Sequence, residues 1–253
     1  MIEKLDFAMS NAFIWRGEYL HAICDFNEFA LENLVGIDEQ KDALLKNTQS
    51  FINGCGGMNA LLYGPRGCGK STLVRAIFTK FMSQNLKVIQ VAPHDTSIIP
   101  MLIDNIRKES FKCILFCDDL SFEGDDMSYK ALKVVLDGSI EKFPSNVLLY
   151  ATSNRKHLIS EMQSENEGAH FINGEIHFQD AVEEKISLSD RFGLSIPFYK
   201  STIDEYLQIV ALYFDGNLDD EVRKKAIAYA TQKGARSGRV AYDFYRATKI
   251  GLL

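Results

Sequence analysis

The sequence predicts an α/β fold, in which a doubly wound, parallel sheet of five strands is followed by a small helical lid. Apolar runs typical of buried strands alternate with amphipathic helical segments, which predicts parallel strands joined by crossover helices. A glycine-rich turn joins one such strand to a helix, and the pattern becomes purely helical after residue 201.

The five predicted strands share a run of apolar residues that ends at a polar or glycine-containing turn. They are 60–63, 87–92, 113–117, 146–152 and 194–197. Between residues 155 and 184 the alternation lapses, and the pair Asn173-Gly174 between β-forming residues predicts an inserted β-hairpin near 169–178.

The chain divides into three predicted parts. Residues 1–30 place aromatic and apolar side chains at near-helical spacing, which favours an N-terminal helical collar. Residues 31–200 form the α/β domain, and residues 201–253 form the lid of three helices.

Composition limits the classes of function. The chain has 253 residues and a net charge of −6, which disfavours a bulk attraction to nucleic acid or to an anionic membrane. No apolar run approaches the ~20 residues of a membrane span, and the first residues lack the pattern of a signal peptide, so we expect a cytoplasmic protein. The five cysteines contain no C-x-x-C pair, which favours isolated thiols over disulfides or a zinc site.

The strongest motif lies between the strand 60–63 and the following helix. It has the spacing G-x-x-x-x-G-K-[ST] and comprises Gly64, Pro65, Arg66, Gly67, Cys68, Gly69, Lys70 and Ser71, followed by Thr72. Such a loop directs backbone N–H groups and a helix N-terminus at a phosphate. The Lys70 ammonium would contact the β- and γ-phosphates, and the Ser71 hydroxyl would ligate Mg²⁺. The motif predicts a nucleoside triphosphate site.

Two acids directly follow the strand 113–117, at the sheet edge where such folds bind ligands. We expect Asp118 to assist Mg²⁺ binding through water, and Asp119 to orient the attacking water or to accept its proton. The alternative is that both acids merely terminate a hydrophobic strand.

Two further polar residues lie next to predicted strands, one after a strand and one before a strand. Asn154, just after the strand 146–152, could hydrogen-bond the γ-phosphate or the lytic water, although an isolated Asn there is often a turn residue. Arg191 precedes the last strand, where a guanidinium could stabilise charge in phosphoryl transfer or could be structural.

The order of these motifs resembles the AAA+ ATPase superfamily over roughly residue 31 to the C-terminus. The resemblance implies that the segment 34–37, with Val35 and Gly36, lies near the adenine, and that Asn154 is the sensor-1 residue. It also implies that Arg191 is an arginine finger acting in trans in a homo-oligomer, and that Arg236 is the lid sensor, with Arg239 as the competing choice. More narrowly, the sequence is similar to compact bacterial AAA+ proteins of a domain of unknown function.

The predicted function is a Mg²⁺-dependent ATPase that binds ATP and ADP and remodels a protein client. The aromatic threading loop of AAA+ unfoldases is absent, because residues 93–97 read Pro-His-Asp-Thr-Ser. An Asp-Asp pair resembles that of helicase loaders, so an alternative is a nucleotide-dependent switch acting on DNA or on a DNA-bound protein. The basic residues of the lid fit a nucleic-acid patch but fit a solvated helix face better, so nucleic acid is not favoured.

Overall fold

The protein is described by a computed structural model that covers residues 5–120, 132–133, 135–137, 141–154 and 189–253. The predicted hairpin near 169–178 lies outside the described residues.

A single sheet of seven strands forms the centre of the fold, in the spatial order β2-β1-β4-β5-β6-β3-β7. The strands are β1 Ala12–Trp15, β2 Leu20–Ala22, β3 Ala60–Tyr63, β4 Leu86–Val91, β5 Lys112–Cys117, β6 Val147–Ser153 and β7 Leu194–Pro197. Neighbouring strands run parallel except for β1 and β2, which are antiparallel. The carboxyl ends of β3, β5 and β6 therefore lie at one edge, where the predicted site residues begin.

The strand count of five is wrong, because the N-terminal residues add β1 and β2 to the sheet. The predicted helical collar over 1–30 is wrong for the same reason. Phe13 and Trp15 are buried on one face, a spacing of two residues that fits a strand, and β1 pairs with the outer edge of β4. Strands of four and three residues are too short for their periodicity to be told from that of a helix.

Six α-helices are described: α1 Asp38–Ile52, α2 Lys70–Phe81, α3 Ile99–Ile106, α4 Ile203–Tyr213, α5 Asp220–Lys233 and α6 Gly238–Lys249. Short 3₁₀ helices occupy Leu31–Asn33 and Pro93–Ile98. None of the helices in the described ranges is long and apolar enough to cross a membrane.

The sheet is covered on both faces, as the doubly wound pattern predicts. Alternate residues of one strand enter two separate hydrophobic clusters: Leu61 packs with α3 on one face, and Leu62 packs with α1 and α2 on the other. Such burial of both faces explains why the central strands are nearly continuous runs of apolar residues.

Helices α4 to α6 pack around their own cluster, which includes Tyr206, Val210, Ala230 and Phe244. Their N-termini are capped by the Thr202, Asp219 and Ser237 side chains, so each helix begins at a residue that satisfies a free backbone N–H. The three helices thus match the predicted segment, and its role as a lid stays a prediction.

Candidate functional site

The glycine-rich loop connects the end of β3 to the start of α2, and its course depends on residues without a side chain. Gly64 has a φ of +142°, and a Cβ atom there would lie 2.2 Å from the backbone oxygen of Phe198. No other residue fits at that position, because the clash would be with backbone rather than with a flexible side chain. Gly64 therefore holds the loop directly against the chain that leaves β7.

Lys70 is buried beneath the loop and is fully engaged by oxygen acceptors. Its Nζ donates to the backbone oxygens of Gly64 at 2.6 Å and Pro65 at 2.7 Å, and to Oδ1 of Asn154 at 3.3 Å. Burial lowers the pKa of Lys70, and the charges of Asp119 and Asp118 oppose that shift. The ammonium is thus held at the centre of the loop.

Asp118 accepts two short hydrogen bonds at one carboxylate oxygen. Ser71 Oγ donates to Asp118 Oδ1 at 2.5 Å, and Thr152 Oγ1 donates to the same atom at 2.6 Å. Ser71 and Asp118 come from α2 and from the end of β5, so the fold joins residues far apart in the chain. Hydroxyl and carboxylate oxygens are ligands that suit Mg²⁺, which these two residues could hold directly or through water.

Asp119 has an unusual backbone conformation, with a φ of +56°. Its backbone N–H donates to Thr152 Oγ1 at 2.8 Å, and its carboxylate accepts a hydrogen bond from Asn154 Nδ2. Arg66 Nη2 lies 3.6 Å from Asp119 Oδ2, but the two side chains are 82% and 55% exposed, so this ion pair contributes little to stability. The geometry links Lys70, Asn154 and Asp119 in one hydrogen-bonded row.

A cavity of about 270 Å³ lies between the loop and helices α4 and α5. Three cationic side chains line it, those of Arg66, Lys200 and Arg236. Cys68 and apolar or small residues of the helices form the other walls, namely Ile203, Tyr206, Ile227, Ala230, Thr231, Gly234 and Ala235. The cavity therefore combines positive charge beside the loop with an apolar wall.

The C-terminal helical part approaches the glycine-rich loop 64–71, called the phosphate loop below, and the segment 34–37 at two close points. A Cβ atom at Gly67 would lie 2.7 Å from Ser237 Cβ, and one at Gly36 would lie 2.7 Å from the Glu205 side chain. Leu34 and Ile37 are buried beside Gly69, and Val35 is half-buried between them. The segment 34–37 thus lies against the loop, although its residues do not line the cavity described above.

Comparison with known families decides the classification. The family model described as "Protein of unknown function (DUF815)" matches residues 8–251. The chain belongs to the DUF815 family. No curated protein matches this DUF815 chain in sequence.

Solved structures with the same fold come from AAA+ P-loop ATPases. The Orc1 protein of Aeropyrum pernix, solved in complex with DNA, aligns with a TM-score of 0.59 and 16% identity over 85% of the DUF815 chain and 59% of its own. A point mutant of Thermotoga maritima RuvB aligns with a TM-score of 0.50 and 15% identity, over 86% and 71% of the two chains. The DUF815 chain thus has the AAA+ fold and spans 59% of the length of the Orc1 chain.

Most of the predicted site residues meet at one edge of the sheet in the DUF815 chain. Lys70, Asn154 and Asp119 are hydrogen-bonded in one row, Ser71 bonds to Asp118, and Thr152 joins the two sets. Thr72 follows Ser71 in α2. Within the described ranges, Arg236 lines the cavity and Arg239 does not, which favours Arg236 of the two.

The Arg191 guanidinium forms an ion pair with Asp137, and Arg191 is not among the residues that line the cavity. A role on a neighbouring subunit therefore stays a prediction.

Two residues at the site were not singled out from the sequence. Thr152 bonds to both acids, but a single hydroxyl in an apolar strand carries no motif. Lys200 lines the cavity, but a lysine after a predicted strand is ordinarily a solvated residue.

Proposed function

We propose that this DUF815 protein is a Mg²⁺-dependent ATPase of the AAA+ type. The observation that carries the proposal is the group that Lys70, Ser71, Asp118, Asp119 and Asn154 form, through Thr152, by hydrogen bonds at the carboxyl edge of the sheet. It combines a cation for phosphates, oxygen ligands for Mg²⁺ and a carboxylate beside an amide. These are the parts that phosphoryl transfer to water requires.

Each residue has a distinct role in this proposal. Lys70 exchanges the loop carbonyls for the β- and γ-phosphate oxygens of ATP, and the loop N–H groups bind the same phosphates. Ser71 and Asp118 hold Mg²⁺, which offsets the charge of the phosphates. Asp119 orients the attacking water or accepts its proton, and Asn154 fixes the position of the Asp119 carboxylate by the hydrogen bond already present.

The test compares ATP binding and phosphate release in two site variants and a control. Lys70→Ala should abolish ATP binding, whereas Asp119→Asn should bind ATP and lose turnover by about 10²-fold or more. Asp42→Asn changes an exposed carboxylate on α1, paired with Lys46, and should behave like the wild type. Wild-type turnover in Asp119→Asn would remove Asp119 from the mechanism, and a wild type that binds no nucleotide would refute the proposal.

We further propose that the ATPase works as a homo-oligomer that remodels a protein client, with Arg191 reaching ATP on a neighbouring subunit. The AAA+ fold supports this proposal. If ATP is held between the sheet and helices α4 to α6, its hydrolysis can change the position of these helices relative to the sheet. Identification of proteins that co-purify with Asp119→Asn in the presence of ATP would define the client.

A switch that acts on DNA is the second candidate, and one surface favours it. Tyr213 stacks on Tyr245 at 5.7 Å between ring centroids, Tyr242 lies 5.4 Å from Tyr213, and the cations of Arg246 and Lys249 lie over Tyr242 and Tyr245. Rings with nearby cations can stack on bases and pair with phosphates, and the similar Orc1 protein was solved with DNA. DNA binding measured with ATP across a salt series tests this, since phosphate contacts give a steep salt dependence. Absence of binding at low salt would exclude direct DNA contact.

A further inference from the structure

Three segments far apart in the chain each contribute one cation to the same cavity. Arg66 belongs to the phosphate loop, Lys200 to the link between β7 and α4, and Arg236 to the link between α5 and α6. No acidic residue lines this cavity in the described part of the chain, and no carboxylate there lies within ion-pair distance of Lys200 or Arg236. Arg66 pairs with Asp119 at 3.6 Å, whereas the charges of Lys200 and Arg236 are not paired with a carboxylate of the described residues.

Lys200 is placed at the cavity by the two ends of its short link. On one side, Phe198 N–H donates to the backbone oxygen of Tyr63 at 2.7 Å, and the Phe198 carbonyl is packed against Gly64 of the phosphate loop. On the other side, Thr202 and Glu205 form a capping box at the start of α4, and the Glu205 side chain contacts Gly36. The backbone at Lys200 is thus fixed between the loop and the segment 34–37.

The Lys200 ammonium acts electrostatically on the loop itself. Burial raises the pKa of the Cys68 thiol, and the charges of Lys70 and Lys200 oppose that rise. Lys200 therefore lies close enough to the loop to influence the Cys68 thiol within it.

We propose that Lys200 is a further ligand for the phosphates of the bound nucleotide, which it contacts together with Arg66 and Arg236 across the cavity. This inference rests on the proposed nucleotide site and adds a residue to it. Three like charges that converge on one cavity repel one another, and a di- or triphosphate removes that repulsion by pairing with all three. The three cations come from the loop and from both ends of the α4–α5 pair, so one phosphate chain would bridge all three segments.

The test measures the affinity of the full chain for ADP and for adenosine by titration calorimetry and competition. Lys200→Ala should weaken ADP binding about tenfold, which is the effect of losing one charge-assisted hydrogen bond, and should leave adenosine binding unchanged. Lys200→Arg should retain most of the affinity for ADP. Lys224→Ala, which removes an exposed lysine of α5, is the matched control and should match the wild type.

Each outcome distinguishes the two proposals. A wild type that binds neither ADP nor ATP refutes the nucleotide site as a whole. A wild type that binds ADP, with the same affinity in Lys200→Ala as in Lys224→Ala, refutes the role of Lys200 alone. Equal losses for ADP and adenosine would show that Lys200 only maintains structure, and would also overturn the proposal. A shallower dependence of ADP affinity on salt in Lys200→Ala would support the loss of a phosphate contact.

Discussion

Replacement of Thr152 by valine should disturb both acids of the candidate site through the loss of one hydroxyl. Thr152 is 1% exposed, its Oγ1 donates to Asp118 Oδ1, and the same oxygen accepts the backbone N–H of Asp119. Valine has nearly the same shape but has no hydroxyl, so it fills the space while it breaks both bonds.

The expected loss of stability follows from these two contacts. A hydrogen bond to a charged acceptor contributes about 1.5–3 kcal/mol, and a backbone N–H left without a partner costs about 1–3 kcal/mol. We therefore expect the free energy of unfolding to fall by about 3 kcal/mol. For a chain of this size that corresponds to a decrease in Tm of roughly 6–12 °C.

The assay is guanidinium denaturation followed by circular dichroism, together with phosphate release from ATP. Thr248→Val removes a hydroxyl that donates to the Phe244 backbone oxygen within α6, and it serves as the matched control. Thr152→Ser keeps a hydroxyl and should recover most of the stability and turnover. If Thr152→Val were as stable and as active as Thr248→Val, the argument that one hydroxyl positions both acids would be wrong.

Three further predictions concern the core, the loop and the subunit contact. Tyr150→Phe removes buried bonds to Asn47 at 3.0 Å and Thr48 at 2.8 Å and should cost about 1–3 kcal/mol in denaturant melts. Because burial raises the pKa of Tyr150 from 10.0 to about 12, wild-type stability should fall between these pH values and fall less in Tyr150→Phe; equal slopes would contradict this. Burial also raises the pKa of Cys68 above 9.0, so iodoacetamide should modify Cys68 more slowly than the exposed Cys24 and Cys55. The rate of Cys68 modification, measured by peptide mass spectrometry, should increase with pH and decrease when ADP is added. If Arg191 acts in trans, wild-type turnover per subunit should rise with protein concentration while Arg191→Ala stays low, and constant wild-type turnover during assembly seen by light scattering would refute the role.

The sequence predicted the parts of the fold that are fixed by long-range burial of whole strands. β5 and β6 are nearly continuous apolar runs because both faces of the sheet are covered, and such runs are visible without a structure. The strands β1 and β2 were not predicted because β1 pairs with β4 and β2 pairs with β1, and nothing within residues 12–22 specifies β4 as the partner.

The site was predictable to the extent that its chemistry follows a motif. The loop spacing predicted Lys70 and Ser71, and the strand end predicted Asp118 and Asp119. Thr152 and Lys200 lie outside any motif because their roles depend on which strands are neighbours and on where a link passes the cavity. Such information is present only in the folded chain.

The ribbon formed by β1 and β2 also determines how the sheet ends. Without it, the side of β4 that faces away from β5 would present unpaired N–H and C=O groups, which is the kind of edge that recruits strands from other molecules. In the folded chain, β1 pairs with β4, and the three-residue strand β2 becomes the edge strand on this side of the sheet. Removal of residues 5–22 should therefore leave the phosphate loop intact and yet cause the protein to self-associate, so a truncated chain that precipitates would reflect an uncovered edge rather than a damaged site.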